Sequence, residues 1–301
     1  MKLIQFRHPR KGVHVGILSG DDVLDITRDG VSGSLDVIRL AAERKMAIED
    51  VARELADRTT TLDILSFEDL NVRPRKSKPH LLAPIFAPEV WGCGVTYKRS
   101  AQVRDEDSAK DIYTRVYESE RPEIFFKATP SRCVGPNDFI GIRRDSKLTA
   151  TEPELAYVLG AGHKIVAYTI CNDVSAWDLE RENPLYLPQS KTFTGCCALG
   201  PVLVTADEIP DPYDLDINCR IVRGGRVVFH GTVNSSKINR KFDQLTEFLR
   251  RDNPIPLGTV VSTGTGIMAP NDHALRDGDV VEVEIARIGK LSNPVRQLPG
   301  G

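Results

Sequence analysis

The segment from Thr151 to Lys191, TEPELAYVLGAGHKIVAYTICNDVSAWDLERENPLYLPQSK, constrains the chain more than any other. Two apolar runs flank a short turn at Gly160–Gly162, the pattern of a β-hairpin. Side chains alternate across a strand, so Glu152 and Glu154 project on one side. A turn centred near Ala161 pairs position 152 with about position 172, which brings Asp173 beside the two glutamates. Three carboxylates converging at a core repel one another unless something neutralises them, and a hard divalent cation is the simplest neutraliser. The E-x-E spacing also occurs on solvated strand faces. Asp178, Glu180 and Glu182 follow Asp173, which fits a surface charge run equally well. Spacing alone leaves both readings open.

The 301 residues suffice for one large domain or two smaller ones with buried cores. A formal net charge of -2 implies no nucleic-acid or anionic-membrane surface. The cysteines, Cys93, Cys133, Cys171, Cys196, Cys197 and Cys219, form no C-x-x-C pair, and several sit in apolar strand-like runs. The start, MKLIQFRHPRKG, has no apolar signal-peptide core, and no run of about 18 apolar residues exists to span a membrane. These features predict a reduced, cytoplasmic protein.

Residues 1–30 alternate short apolar runs with turns and predict two or three strands. Helices are expected over Ser34–Lys45, with Ser34 as N-cap, and over Ala47–Arg58. Residues 71–89 are Pro-rich and briefly basic; a phosphate patch is conceivable, but such segments usually link domains. The division is therefore an accessory α/β domain at 1–75, a linker at 76–89 and a main domain at 90–301. Ser108–Glu118 has amphipathic helical spacing, either a solvated helix or one closing over a site. EIFFKA at 123–128 is a strand with Glu123, Phe125 and Lys127 on one face and Phe126 on the other; Glu123 and Lys127 could be a simple ion pair. TFTGCCALGPVLV reads as two strand-like runs split by Gly200-Pro201. Beyond it come a hairpin about Gly224-Gly225, a helix over Lys237–Arg251 and a one-face-buried strand over Asp279–Ile288. No tandem repeat appears.

No G-x-S-x-G, HExxH, Walker A or CxxC motif is present, and the His residues are scattered. Lys191 is either solvated or, near a cation, able to stabilise an enolate. Thr263-Gly264-Thr265 is either an ordinary strand-end turn or a cradle of hydroxyls and N–H groups for a carboxylate.

The ordered set of EPELA at 152–156, NDVSA at 172–176 with DLE after it, Lys191, Gly200-Pro201 and TGT at 263–265 resembles the fumarylacetoacetate hydrolase superfamily over about residues 85–290. The resemblance implies an α+β chain: a small N-terminal α/β domain followed by a mixed β-roll catalytic domain. It implies Mg²⁺ or Mn²⁺ held by Glu152, Glu154 and Asp173, a 2-oxo acid chelated on it, and a homodimer or homotetramer. C–C hydrolases of the superfamily carry a Tyr followed by His and Glu at three-residue steps. Here Tyr97 is followed by Ser100 and Val103, which cannot form that water-activating pair. RPEIFFKATPSRCVG (121–135) and NPLYLPQSKTFTGCCALGP (183–201) look instead like the branch that dehydrates 2-oxo-3-deoxy pentonates to 2,5-dioxopentanoate. On that resemblance Glu123 is the acid/base, Lys191 stabilises the enolate, and Phe126, Trp177, Glu180 and Thr265 contact substrate. Trp177 stands where the superfamily often has Arg, which leaves the substrate carboxylate to Lys191 or Thr265. The alternatives are a C–C hydrolase or decarboxylase acting on acylpyruvate-type 2-oxo acids, and a non-enzymatic 2-oxo acid binding module.

Overall fold

The computed structural model describes residues 1–57, 64–108 and 111–299. Strands β1 (Lys2–His8), β2 (Gly12–Ser19) and β3 (Asp22–Asp25) form an antiparallel meander. Helix α1 (Ser34–Arg44) begins one residue earlier than expected, because Gly33 rather than Ser34 is its N-cap. Asp36 reaches back to accept the Gly33 N–H at 3.0 Å. Only glycine fits there, since a Cβ would stand 2.5 Å from Gln5 Oε1. Helix α2 (Ile48–Asp57) buries Ile48, Val51, Ala52 and Leu55. Then come β4 (Ile64–Ser66), α3 (Phe67–Leu70) and β5 (His80–Leu81). The Pro-rich segment is packed rather than a free tether. β5 pairs with β1, the Leu82 N–H donates to Gln5 O at 2.9 Å, and Leu81, Ala83, Ile85 and Ala87 are buried.

After β6 (Val90–Gly94) the chain forms two helices, α4 (Lys98–Ser108) and α5 (Ile112–Glu118), where one over Ser108–Glu118 was expected; residues 109 and 110 lie outside the described residues. Asp105 caps α5 by accepting the N–H groups of Tyr113 and Thr114, both at 2.9 Å. Next are β7 (Glu123–Ala128), β8 (Cys133–Val134), β9 (Ile140–Ile142) and β10 (Thr149–Ala150). The expected hairpin is β11 (Pro153–Leu159) and β12 (Ile165–Asp173), with Asn172 opposite Pro153 rather than Glu152. There follow β13 (Ser175–Ala176), α6 (Trp177–Glu182), α7 (Leu187–Lys191) and β14 (Cys197–Thr205). β14 is one continuous strand through the cis Gly200-Pro201 peptide, where two runs were expected. β15 (Asp216–Arg223) and β16 (Arg226–Asn234) turn at Gly224 and Gly225, whose φ values of 55° and 78° suit a tight hairpin. Helix α8 (Phe242–Arg250) starts later than expected at Lys237, because the preceding backbone is spent elsewhere: Ile238 bridges Tyr97, and the Asn239 N–H donates to Thr96 O at 3.0 Å. β17 (Val260–Ser262), β18 (Val280–Ile285) and β19 (Gly289–Gln297) complete the order.

The large mixed sheet runs β4-β3-β2-β1-β14-β12-β11-β17-β6-β7, with β5 beside β1 and β8 beside β14. A second sheet runs β16-β15-β18-β19-β9 and packs on the first where β14 meets β19 and β11 meets β15. The fold is mixed α+β, and the N-terminal strands share the sheet that carries the EPE hairpin. β11 and β12 lie at its centre, which explains their continuous apolar runs: every residue of β11 is buried. No helix among the described residues is long and apolar enough to cross a membrane.

Candidate active site

Glu152 immediately precedes β11, Glu154 is its second residue, and Asp173 ends β12, so the hairpin delivers all three to one point. A backbone bond from the Asp173 N–H to Glu152 O, 2.9 Å, locks that end of the hairpin. One oxygen from each carboxylate lies within 4.8 Å of the others, and the three residues are 2%, 1% and 1% exposed. That burial removes the solvated-face reading.

Each carboxylate has its own support. Glu152 Oε1 accepts from Trp177 Nε1 at 2.6 Å and Arg104 Nη2 at 3.1 Å, while Lys191 Nζ stands 3.1 Å from Oε2. Burial opposes its ionisation, but Lys191 and Arg104 overcome that cost and hold the carboxyl down at about 2. Glu154 Oε2 accepts from Ser262 Oγ and, at 2.8 Å, from the Gly264 N–H. Burial and the charges of Asp173 and Glu152 push Glu154 up to about 8. Asp173 Oδ2 accepts from Lys191 Nζ at 2.9 Å, and Lys191 also donates to Ser175 Oγ at 2.6 Å. Lys127 Nζ lies 2.5 Å from Asp173 Oδ1 but aims its protons at the carbonyls of Val174 and Lys191. Asp173 Oδ1 is thereby left buried without an aligned donor. Burial disfavours the charge on Lys191, yet Asp173 and Glu152 more than offset this and keep it protonated.

The strand β7 brings Glu123, and the loop after β17 brings Thr265, to a cavity that also touches Glu152, Asp173, Lys191 and Arg104. Burial lifts Glu123 to about 7, with Glu180 adding to the rise and Arg104 and Lys191 opposing it. A Cβ on Gly94 would lie 1.9 Å from Glu123 Oε2, so that glycine makes room for the carboxyl. Glu180 is buried and ion-paired with Arg104, which corrects its reading as part of a surface charge run. Of the four expected substrate contacts, Glu180 lines a different cavity and only Thr265 lines this one. Phe126 faces away from it, as strand alternation requires, and meets Trp91 edge-on at 5.5 Å; Phe125 takes its place. Trp177 spends its indole N–H on Glu152 instead. Lys127 pairs with Asp173 rather than Glu123. Arg104 carries no signal in the sequence: it sits in a polar helix and reaches the site only because α4 folds over it. Ser100 lines the cavity and is buried.

The charge balance fits a divalent cation. Among the described residues, five carboxyls (Glu123, Glu152, Glu154, Asp173 and Glu180) face three cations (Arg104, Lys127 and Lys191), a deficit of two positive charges. The raised Glu154 and Glu123 mark where protons make up that deficit without metal. All-oxygen donors and deep burial suit a hard ion such as Mg²⁺ or Mn²⁺.

Comparison with known proteins agrees with this geometry. The chain is 44% identical to 2-dehydro-3-deoxy-D-arabinonate dehydratase of Saccharolobus solfataricus, over 99% of this chain and 97% of the relative. It is 39% identical to a probable 2-keto-3-deoxyxylonate dehydratase of Haloferax volcanii, over 94% of this chain and 98% of the relative. A solved structure of 2-keto-3-deoxy-D-arabinonate dehydratase complexed with magnesium and 2,5-dioxopentanoate superposes with a TM-score of 0.83 at 44% identity, covering 100% of both chains. Residues 89–296 match the fumarylacetoacetate (FAA) hydrolase C-terminal family. On the match over most of its length, and on a buried acidic triad carried by the matching region, the chain belongs to the fumarylacetoacetate hydrolase family.

Proposed function

We propose that the chain is a metal-dependent hydro-lyase that converts a 2-dehydro-3-deoxy pentonate to 2,5-dioxopentanoate. The observation that carries this reading is the buried Glu152/Glu154/Asp173 triad with Glu123 beside it, in a chain so similar to sugar-acid dehydratases. Mg²⁺ or Mn²⁺ held by the triad would supply a Lewis acid for the carboxylate and keto oxygens of a 2-oxo acid. Glu123, raised to about 7, is suited to take a C3 proton and to return a proton to the departing C4 hydroxyl. Lys191, protonated and packed 5.1 Å from the Phe125 ring centroid, offsets the negative charge that develops on C2 oxygen. Thr265 offers a hydroxyl at the cavity wall for the substrate carboxylate. Trp177 and Arg104 act through Glu152 by fixing its orientation. Ser100 and Val103 leave water without the His–Glu pair that C–C hydrolysis would need. Loss of the C4 hydroxyl leaves a C3–C4 double bond conjugated to the ketone. Transfer of a C5 proton and tautomerisation then yield the C5 aldehyde, with one water released overall.

The test is incubation with Mg²⁺ and a panel of 2-oxo-3-deoxy acids, followed by mass analysis. One product lighter by a single water supports the reading. Two carbon fragments or CO₂ would establish a hydrolase or decarboxylase, and binding without turnover a ligand-binding module. We also read residues 1–75 as an accessory unit and the protein as a homodimer or homotetramer, which light scattering on the purified chain tests. A cytoplasmic location fits six cysteines that are all unpaired.

A further inference from the structure

The pairing of β1 with β5 brings together two stretches of the chain that lack acidic residues. Residues 3–20 carry Arg7, Arg10 and Lys11, residues 70–88 carry Arg73, Arg75, Lys76 and Lys78, and neither stretch contains an Asp or Glu. The chain as a whole has a net charge of -2, so this cluster is not the by-product of a basic composition. In the β1–β5 register Arg7 stands opposite His80, and Phe6 opposite Leu81. Residues opposite one another in an antiparallel pair share a face, so Phe6 and Leu81 enter the core while Arg7 and His80 stand side by side on the other face. Both flanking turns are ordered locally. Pro74 and Pro79 restrict the backbone before β5, and the Lys78 N–H donates to Arg75 O at 3.1 Å to close a turn between them. After β1, His8 Nδ1 accepts the N–H groups of Arg10 and Lys11 at 3.2 Å and 3.1 Å. Between the two turns lies a groove of about 550 Å³ lined by Arg7, Pro9, Pro74, Arg75, Lys76 and His80.

No carboxylate lines this groove. Arg7, Arg75 and Lys76 are exposed, and the side chain of none of them has a hydrogen bond or ion pair among the described residues. Exposed arginines elsewhere in the chain are partnered by a nearby carboxylate: Arg39 by Asp36, Arg53 by Asp50, Arg115 by Asp111 and Arg250 by Glu247. Like charges gathered on ordered backbone repel one another, and a bound polyanion relieves that repulsion. The groove has the volume of a small-molecule site. Two guanidinium forks match phosphate oxygens in bidentate fashion, and a lysine adds a point charge. We propose that this groove binds a polyphosphate group, bare or carried on a nucleoside, as a second site of the protein. None of its lining residues lines the triad cavity, so the proposal is independent of the reaction assigned to the triad.

The test titrates the Mg²⁺-loaded protein calorimetrically with pyrophosphate, ADP and adenosine, in phosphate-free buffer with Mg²⁺ in excess. Pyrophosphate or ADP should bind saturably, and adenosine should not. Arg75→Glu and, on the opposite wall, Arg7→Glu should each weaken that binding at least about tenfold, the size expected when a charge-assisted contact becomes a repulsion. Raising KCl from about 50 mM to about 500 mM should weaken it about tenfold as well, because the cations are exposed to screening. Neither arginine makes a polar side-chain contact, so the melting temperature of each variant should match that of the wild type. Should a reversed charge unsettle the turn, the milder pair Arg75→Ala and Lys76→Ala should lose binding in the same way. Tighter binding of ADP than of pyrophosphate supports the proposal and assigns the groove to a nucleotide; equal binding supports it and assigns the groove to the polyphosphate alone. No saturable binding of either, adenosine binding as tightly as ADP, or folded groove variants that bind like the wild type would overturn the proposal.

Discussion

Metal loading should release protons, and the amount follows from the triad. Without metal, Glu154 titrates at about 8 because burial and two neighbouring carboxylates disfavour its charge. At pH 7 such a group is about nine-tenths protonated, so binding a divalent cation there expels about one proton. Glu123, at about 7, contributes up to about half a proton more as the cation's field lowers it. Apparent Mg²⁺ affinity should then weaken by roughly tenfold per unit as pH falls below 8. The same shift governs stability. Glu154 is raised from 4.5 to about 8 in the folded chain, so the metal-free native state binds a proton that the unfolded state has released across that window. At about 1.4 kcal/mol per unit, metal-free stability falls by about 5 kcal/mol from this group as pH rises through the window. Glu152, held at about 2, acts oppositely: its stabilisation is present above 4.5 and is lost as pH drops toward 2. Calorimetric titration of Mg²⁺ in buffers of different ionisation enthalpy measures the protons released. Melting curves in EDTA and in Mg²⁺ between pH 5 and 8.5 measure the stability. EDTA curves should shift to lower temperature as pH rises, and Mg²⁺ should abolish the trend. Zero proton release at pH 7, together with pH-independent melting in EDTA, would refute the charge accounting.

Other perturbations separate the roles of individual side chains. Glu123→Gln should lower kcat by about 10²–10⁴ while Mg²⁺ still binds, and full turnover in that variant would remove Glu123 as acid/base. Gly94→Ala should mimic it, because the new Cβ falls on the Glu123 carboxyl; steady-state assay and Mg²⁺ titration read both effects. Trp177→Phe deletes the 2.6 Å donor to Glu152 and should weaken Mg²⁺ binding about 10-fold or more, with KM for substrate changing less than it would for a direct contact. Lys127→Met removes one of the two buried ammonium groups that face Asp173, leaving Lys191, and should destabilise the metal-free chain by up to about 3 kcal/mol in urea unfolding, with Mg²⁺ restoring part of the loss.

Much of the site was legible in the chain because a hairpin is local. The E-x-E spacing, the turn near Ala161 and the apolar runs place Glu152, Glu154 and Asp173 together within one residue of the observed register. Strand alternation likewise set Glu123 and Phe125 on one face, so assigning substrate contact to Phe126 ran against the period of its own strand. Helix ends were less legible, since the competing partners are distant. Gln5 and Asp36 decide where α1 begins, and the Thr96 carbonyl delays α8.

Burial and long-range pairing were decided only by tertiary structure. Nothing in the chain shows whether an acidic strand face meets water or a core, yet that is what separates a solvated run from a metal centre. Arg104 sits 48 residues from Glu152 in sequence and 76 from Glu180, on a helix whose polar composition reads as surface. Lys127 and Lys191 converge on Asp173 because β7, α7 and β12 pack together, not because of any spacing between them. By itself, then, the sequence determined the hairpin, its three carboxylates and the family pattern around them. The fold decided how those carboxylates are charged: burial raises the cost of every ionised group, and only the packed structure sets which opposite charges stand close enough to offset it.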